Sequence, residues 1–203
     1  NGGGTTQPSG TFNGLSAGDI IVTVVDANGC IFDVPVTITE PDALDGSITA
    51  QTNVFCNGDA NGSVSVEGDV GTGTPPYLYS TDGGVTTQMS GTFSGLSAGG
   101  LTVTIVDANG CIFDVPVIIT EPDALGGTIT AQTAVDCNGN TTGSVTVAGA
   151  NGTPGYLYSL DGGATTQVSG TFSGLSEGSY TVTIVDDNGC TEDVPVIIIE
   201  PDD

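Results

Sequence analysis

Residues Leu101–Pro122 read LTVTIVDANGCIFDVPVIITEP and contain two strands and the turn between them. Leu101, Val103 and Ile105 alternate with Thr102 and Thr104, a period of two that buries one face of a strand. Past the turn, Val115, Val117 and Ile119 share one face with Pro116 on the other, and a proline inside a strand marks an edge or a bulge. The linking Asp107-Ala-Asn-Gly110 is a hairpin turn signal in which Gly110 can take a positive φ.

The same hairpin recurs. Val25–Leu44 repeats Val106–Leu125 with Thr37 in place of Ile118, and Val185–Asp202 is a third version. SGTFxGLSxG starts at Ser9, Ser90 and Ser169, and Cys56 and Cys137 recur 81 positions apart. Repetition at this spacing suits a string of small domains and is too long for a solenoid. The expected division is 1–41, the C-terminal half of a repeat, followed by full repeats at 42–122 and 123–203. Upstream of the hairpin, Ser47–Val54, Ser63–Val66, Tyr77–Ser80, Thr86–Met89 and Thr92–Phe93 supply short strands broken by turns such as Asp82-Gly-Gly84. Seven strands in about 80 residues, with no 3.6-residue apolar period, predict an all-β fold of tandem immunoglobulin-like β-sandwiches without significant helix.

Composition excludes most functions. The 203 residues contain 24 Asp plus Glu and no Lys, Arg or His, a formal charge of −24. A nucleic-acid binder must neutralise phosphates with cations, and anionic lipid also demands them. No run of about 18 apolar residues is present to insert into a membrane. Without His there is no Ser-His-Asp relay; without Lys, no P-loop or Schiff base. Paired carboxylates for glycoside hydrolysis remain, but the same acids recur in every copy and sit mostly in turns. The expectation is that the chain is not an enzyme. It begins in mid-pattern at Asn1, as a mature or excerpted piece would.

Each full repeat has one cysteine after its first strand and one at the start of its last. The expected disulfides are therefore Cys56–Cys111 and Cys137–Cys190, with the partner of Cys30 lying outside the half repeat. Closing such a loop stabilises a domain by roughly 4 kcal/mol in the chain-entropy model. Small aromatic-poor domains with paired cysteines belong outside the cell.

GTPPYLYSTDGG (Gly73–Gly84), TTQMSGTFSGLSAGG (Thr86–Gly100), LTVTIVDANGC (Leu101–Cys111) and ITEP (Ile119–Pro122) resemble the SprB repeat of bacterial cell-surface gliding and adhesion proteins. Ile20 and Leu101 replace the tyrosine usual after the GLSAG turn, which survives as Tyr180. The resemblance implies export to the cell surface and a part in adhesion or motility. It does not identify a ligand.

Asp26, Asp107 and Asp186 open the DxNG turns, where Ca²⁺ ligation competes with an Asx-turn, the simpler reading. Asn57, Asp59 and Asn61 match the start of a calcium loop but lack its closing glutamate, and Ca²⁺ wants six to eight oxygens. Glu40, Asp42 and Asp45 cluster at the first junction, and Glu121 and Asp123 at the second. Ca²⁺ bridging there, the one cofactor these groups suggest, competes with a solvated linker stiffened by Pro41 and Pro122. The leading expectation is a structural or adhesive segment of a secreted fibre, its partners being neighbouring repeats or copies of itself and an unidentified surface or glycan ligand. The alternatives are a non-covalent filament that completes the half repeat with strands from another subunit, and a carbohydrate-binding module. The latter needs Tyr77, Tyr79, Tyr156 and Tyr158 as an exposed platform.

Overall fold

The computed structural model describes residues 7–201, which contain fourteen strands and no helix. A hairpin comes first, β1 (Gly18–Val25) with β2 (Ile31–Ile38). Then come β3 (Gly46–Thr52), β4 (Gly62–Gly68), β5 (Leu78–Ser80), β6 (Thr92–Leu96), β7 (Gly99–Val106) and β8 (Ile112–Ile119). The order repeats as β9 (Gly126–Thr133), β10 (Gly143–Ala150), β11 (Leu157–Ser159), β12 (Thr171–Leu175), β13 (Gly178–Val185) and β14 (Thr191–Ile198). Each set of six forms two antiparallel three-stranded sheets, β3-β4-β6 with β5-β7-β8, and β12-β10-β9 with β11-β13-β14. This is an immunoglobulin-like sandwich, built twice.

The alternation seen in the sequence generates both cores. In the first, Val64 and Val66 of one sheet meet Val103, Ile105, Val115, Val117 and Ile119 of the other, with Tyr79 between them. Val145, Val147, Val182, Ile184, Val194, Val196, Ile198 and Tyr158 do the same in the second. Burying each such side chain contributes about 1.5–3 kcal/mol, so these β-branched layers are what make sandwiches so poor in aromatics viable. β1 and β2 have the same alternation but no facing sheet among the described residues. Val24 is 54% exposed where its counterpart Ile105 is fully buried, and Phe32 is 70% exposed where Phe113 packs against the core.

One expected strand is absent. Thr86–Met89 makes only a single bridge, Gln88 to Tyr79, so each sandwich has six strands. Local side-chain bonds take over the backbone here. The Asp82 carboxylate accepts from Thr86 N (2.9 Å) and Thr86 Oγ1 (2.6 Å), while Ser80 Oγ donates to Asp82 Oδ1 (2.5 Å) and accepts from Gly84 N (2.9 Å). Asp161 repeats this with Ser159 and Thr165. Gln88 Nε2 donates to the carbonyls of Ser90 and Thr92, directing the chain into β6. Chain and sheet meet closely at Gly91, where an added Cβ would collide with the Val66 carbonyl oxygen.

Two outcomes follow. The hydroxyls of Ser80 and Thr86, then Thr86 N–H, lower the Asp82 carboxyl to about 2, and Ser159 and Thr165 do the same for Asp161. These two carboxylates should stay ionised until the pH falls to about 2, read as carboxyl carbon shifts in an NMR titration. What they add to stability is present above the ordinary aspartate range near 4 and lost as pH falls through 2. Gly91→Ala should lower the melting temperature of the first sandwich by overpacking worth about 1–3 kcal/mol or more, leaving the second unchanged by calorimetry.

Candidate functional site

The two cysteines of a sandwich lie at its opposite poles. Cys111 immediately precedes β8, at the pole where the Asp107–Cys111 turn lies. Cys56 sits beside the other end of that strand. Val54 N donates to Thr120 O (2.9 Å), Asn57 Nδ2 to Pro122 O (3.0 Å) and Gly58 N to Glu121 Oε2 (2.7 Å). Eight residues of strand span about 27 Å at ~3.4 Å each, whereas bridged Cα atoms lie within about 7 Å. The second sandwich is alike. Val135 N donates to Ile199 O, and Asn138 Nδ2 and Gly139 N donate to the Glu200 carboxylate at the far end of β14 from Cys190. The expected pairs Cys56–Cys111 and Cys137–Cys190 are therefore corrected: neither forms.

Cys56 instead bonds Cys190 of the next sandwich, 134 residues on, with 5.6 Å between Cα atoms. Cys30, Cys111 and Cys137 are unpaired and exposed. The tail pole of one sandwich, with its Cys-Asn-Gly loop, thus meets the turn pole of the next, with its Asn-Gly-Cys turn. Asn188 ties the joint further, its Nδ2 donating to Phe55 O (3.0 Å) across it and to Thr153 Oγ1 (2.9 Å) within its own sandwich.

The turn that presents Cys190 is fixed by Asp186. Its Oδ1 accepts from Asn188 N (3.0 Å) and Cys190 N (2.9 Å), and its Oδ2 from Thr153 N (2.8 Å). Asp107 does the same with Asn109 N, Cys111 N and Thr74 N, all at 2.8–2.9 Å. Burial opposes ionisation of Asp107, but the N–H groups of Cys111, Thr74 and Asn109 outweigh it and hold the carboxyl below the ordinary range. Asp26 accepts from Asn28 N and Cys30 N, and the Cys30 and Asn28 amides lower it likewise. These aspartates form Asx-turns whose carboxylates cap the cysteine backbone.

The acidic candidates are spread along the chain. Glu121 anchors the Cys56 loop through Gly58. Asn61 Oδ1 accepts from Phe55 N (3.1 Å) and its Nδ2 donates to Asp59 Oδ2 (3.2 Å), closing that loop on itself. Asp45 Oδ1 accepts from Gly46 N (2.8 Å). Asp42 and Asp123 accept through their main-chain carbonyls from Gly73 N and Gly152 N. Glu40 occupies the position of Glu121 and holds no such loop among the described residues. Among the described residues no three Asp, Glu or Cys side chains converge as a metal-ligand set. The tyrosines form no platform. Tyr79 and Tyr158 are buried, with hydroxyls accepting from Gly68 N and Gly149 N; Tyr77 and Tyr156 pack against the cores and donate to Thr72 O and Asn151 O.

At the tail pole of the second sandwich Glu177 stands where the first has Ala98. A hydrogen bond from Glu177 to Glu200, then their repulsion, raises the Glu177 carboxyl. The protonated form is the stabilised one, so its contribution is present below the ordinary glutamate range near 4.3 and lost as pH rises through the raised value. Glu177→Ala should therefore raise the melting temperature at pH 7 and give no gain at pH 3. Asp186→Ala should lower the melting temperature of the second sandwich and slow closure of Cys56–Cys190, followed by thiol alkylation. Asp107→Ala should destabilise the first sandwich and leave that closure rate unchanged.

Several solved structures share likeness with this chain at low identity. They include Drosophila OTK extracellular domains 3–5 (16% identity, TM-score 0.32, covering 90% of this chain and 70% of that one). The three N-terminal domains of the bacteriophage RB49 Highly Immunogenic Outer Capsid protein give 14%, 0.39, 78% and 58%. The N-terminal eight Ig domains of Down Syndrome Cell Adhesion Molecule give 10%, 0.41, 87% and 27%. No curated protein matches. The SprB repeat family matches residues 48–86 and 129–165, the equivalent stretches of the two sandwiches. One stretch in each sandwich thus matches the SprB repeat model, in agreement with the resemblance read from the sequence.

Proposed function

We propose that this chain is a length of extracellular surface fibre, in which SprB-type sandwiches stack pole to pole and are locked by disulfides into a stiff, adhesive thread. The observation that carries this reading is the Cys56–Cys190 bond across the joint. A cystine within one domain would stabilise that domain; a cystine between two folded domains fixes their relative orientation. It also calls for an oxidising compartment. The net charge of −24 makes successive units repel, which favours extension along the thread and keeps threads apart. With no Lys or Arg there is no site for trypsin-like proteases anywhere in the chain.

The uncovered face of the β1–β2 hairpin favours a second reading alongside the first. Val22, Val24, Val34 and Val36 match residues that are buried in a complete sandwich, so the hairpin fits strands of the β3–β5 kind supplied by another segment.

Small-angle scattering before and after reduction tests the stiff thread. The oxidised chain should scatter as one elongated particle of fixed shape. Reduction, or Cys56→Ser, should broaden the interdomain distances while both sandwiches keep their melting temperatures. An unchanged envelope after reduction would contradict the locked joint. Immunogold labelling of producing cells should decorate threads outside the cell envelope; labelling confined to the cytoplasm would overturn the surface assignment.

A further inference from the structure

We infer that Cys111 and Cys137 are the open halves of two more joint disulfides of the Cys56–Cys190 kind, so that flanking repeats are bound into one covalent series of overlapping loops. This rests on the fibre reading and adds how the fibre is held. Cys137 is the repeat equivalent of Cys56, and Cys111 of Cys190, the two residues that do bond. Both stand on poles built like those that meet at the observed joint. The Cys137 loop is anchored by Glu200 as the Cys56 loop is by Glu121. The Cys111 turn is held by Asp107 as the Cys190 turn is by Asp186. Asn109 Nδ2 donates to Thr74 Oγ1 (2.8 Å) as Asn188 does to Thr153, while Asn188 also reaches Phe55 O across its joint.

A separate observation points to the partner of Cys111. Among the described residues no strand covers the apolar face of the β1–β2 hairpin, and the first strand of a covering set, a β3-type strand, is the one that leads into a Cys-Asn-Gly loop. Glu40, which stands where Glu121 holds that loop, holds none among the described residues. The segment that completes the hairpin is therefore the segment that delivers the cysteine to Cys111. By the same register Cys137 receives an Asn-Gly-Cys turn from the repeat beyond it. Each bond forms by thiol–disulfide exchange: two thiols lose two protons and two electrons to a disulfide oxidant, which leaves as two thiols.

The stagger has a mechanical consequence. The loop closed by Cys56 and Cys190 spans 134 residues, whereas equivalent cysteines recur after 81, so the next loop opens at Cys137 before this one closes. No peptide bond in such a series lies outside a loop, and no single backbone cut severs it. Pairing within each repeat would leave every linker exposed to a severing cut.

The test uses native material extracted into N-ethylmaleimide, mapped by non-reducing peptide analysis. Cys137 should appear linked to an Asn-Gly-Cys peptide and Cys111 to a Cys-Asn-Gly peptide. A glutamate-specific protease limited to a single cut after Glu192, which precedes Asp193 and lies outside the Cys56–Cys190 loop, should release nothing under denaturing conditions until reductant is added. If reductant alone then lowers the mass of uncut material, the flanking repeats belong to second copies; if not, to the same polypeptide. Maleimide on Cys111 and Cys137, or fragments released without reductant, would overturn the inference. Finding Cys56–Cys190 intact in that case would leave the fibre reading standing, and its absence would remove both.

Discussion

The last strand of each sandwich holds its two cysteines about 27 Å apart, and much else follows from that separation. The first and last strands run the same way, so a cysteine after the first reaches the tail pole and a cysteine before the last stays at the turn pole. A bond inside the domain would require melting β8 or β14, which carry Val115, Val117 and Ile119 or Val194, Val196 and Ile198 of the cores. The cystine is therefore displaced to the joint, the place where a turn pole and a tail pole come together.

Each side of the joint is prepared by a carboxylate. Asp186 holds the Cys190 turn through backbone N–H groups, and Glu121 holds the Cys56 loop through Gly58. Both acids bond to their own domain, so the thiols are positioned before they meet and little ordering remains when the bond forms. This gives many of the acidic residues a structural use as acceptors in a chain that has no cationic side chain to pair with them. The cystine leaves each core to stand on its own β-branched layers and constrains orientation instead.

Much of the fold was legible because its signals are local. Alternation at Leu101–Ile105 and Val115–Ile119 marked two strands and their buried face, and Asp107-Ala-Asn-Gly marked the turn. The Thr86–Met89 stretch misled because alternation does not reveal that the Asp82 carboxylate captures Thr86 first. The disulfides misled more seriously. Two cysteines per repeat satisfy the count whether they pair within a repeat or between repeats, and sequence spacing is silent on the difference. The missing signal was strand direction, since parallel first and last strands send the two residues to opposite poles. Tyr77 and Tyr79 were ambiguous between platform and core because alternation puts both on one face without saying which, and their hydroxyl bonds to Thr72 and from Gly68 depend on how the intervening loop folds back.

The most direct measurement is the disulfide map of the folded, oxidised chain, obtained by non-reducing digestion and mass spectrometry. The joint described here predicts one cross-linked peptide pair containing Cys56 and Cys190. A pair containing Cys56 and Cys111 would contradict it, because those residues could meet only if the last strand of the first sandwich were not where the core places it.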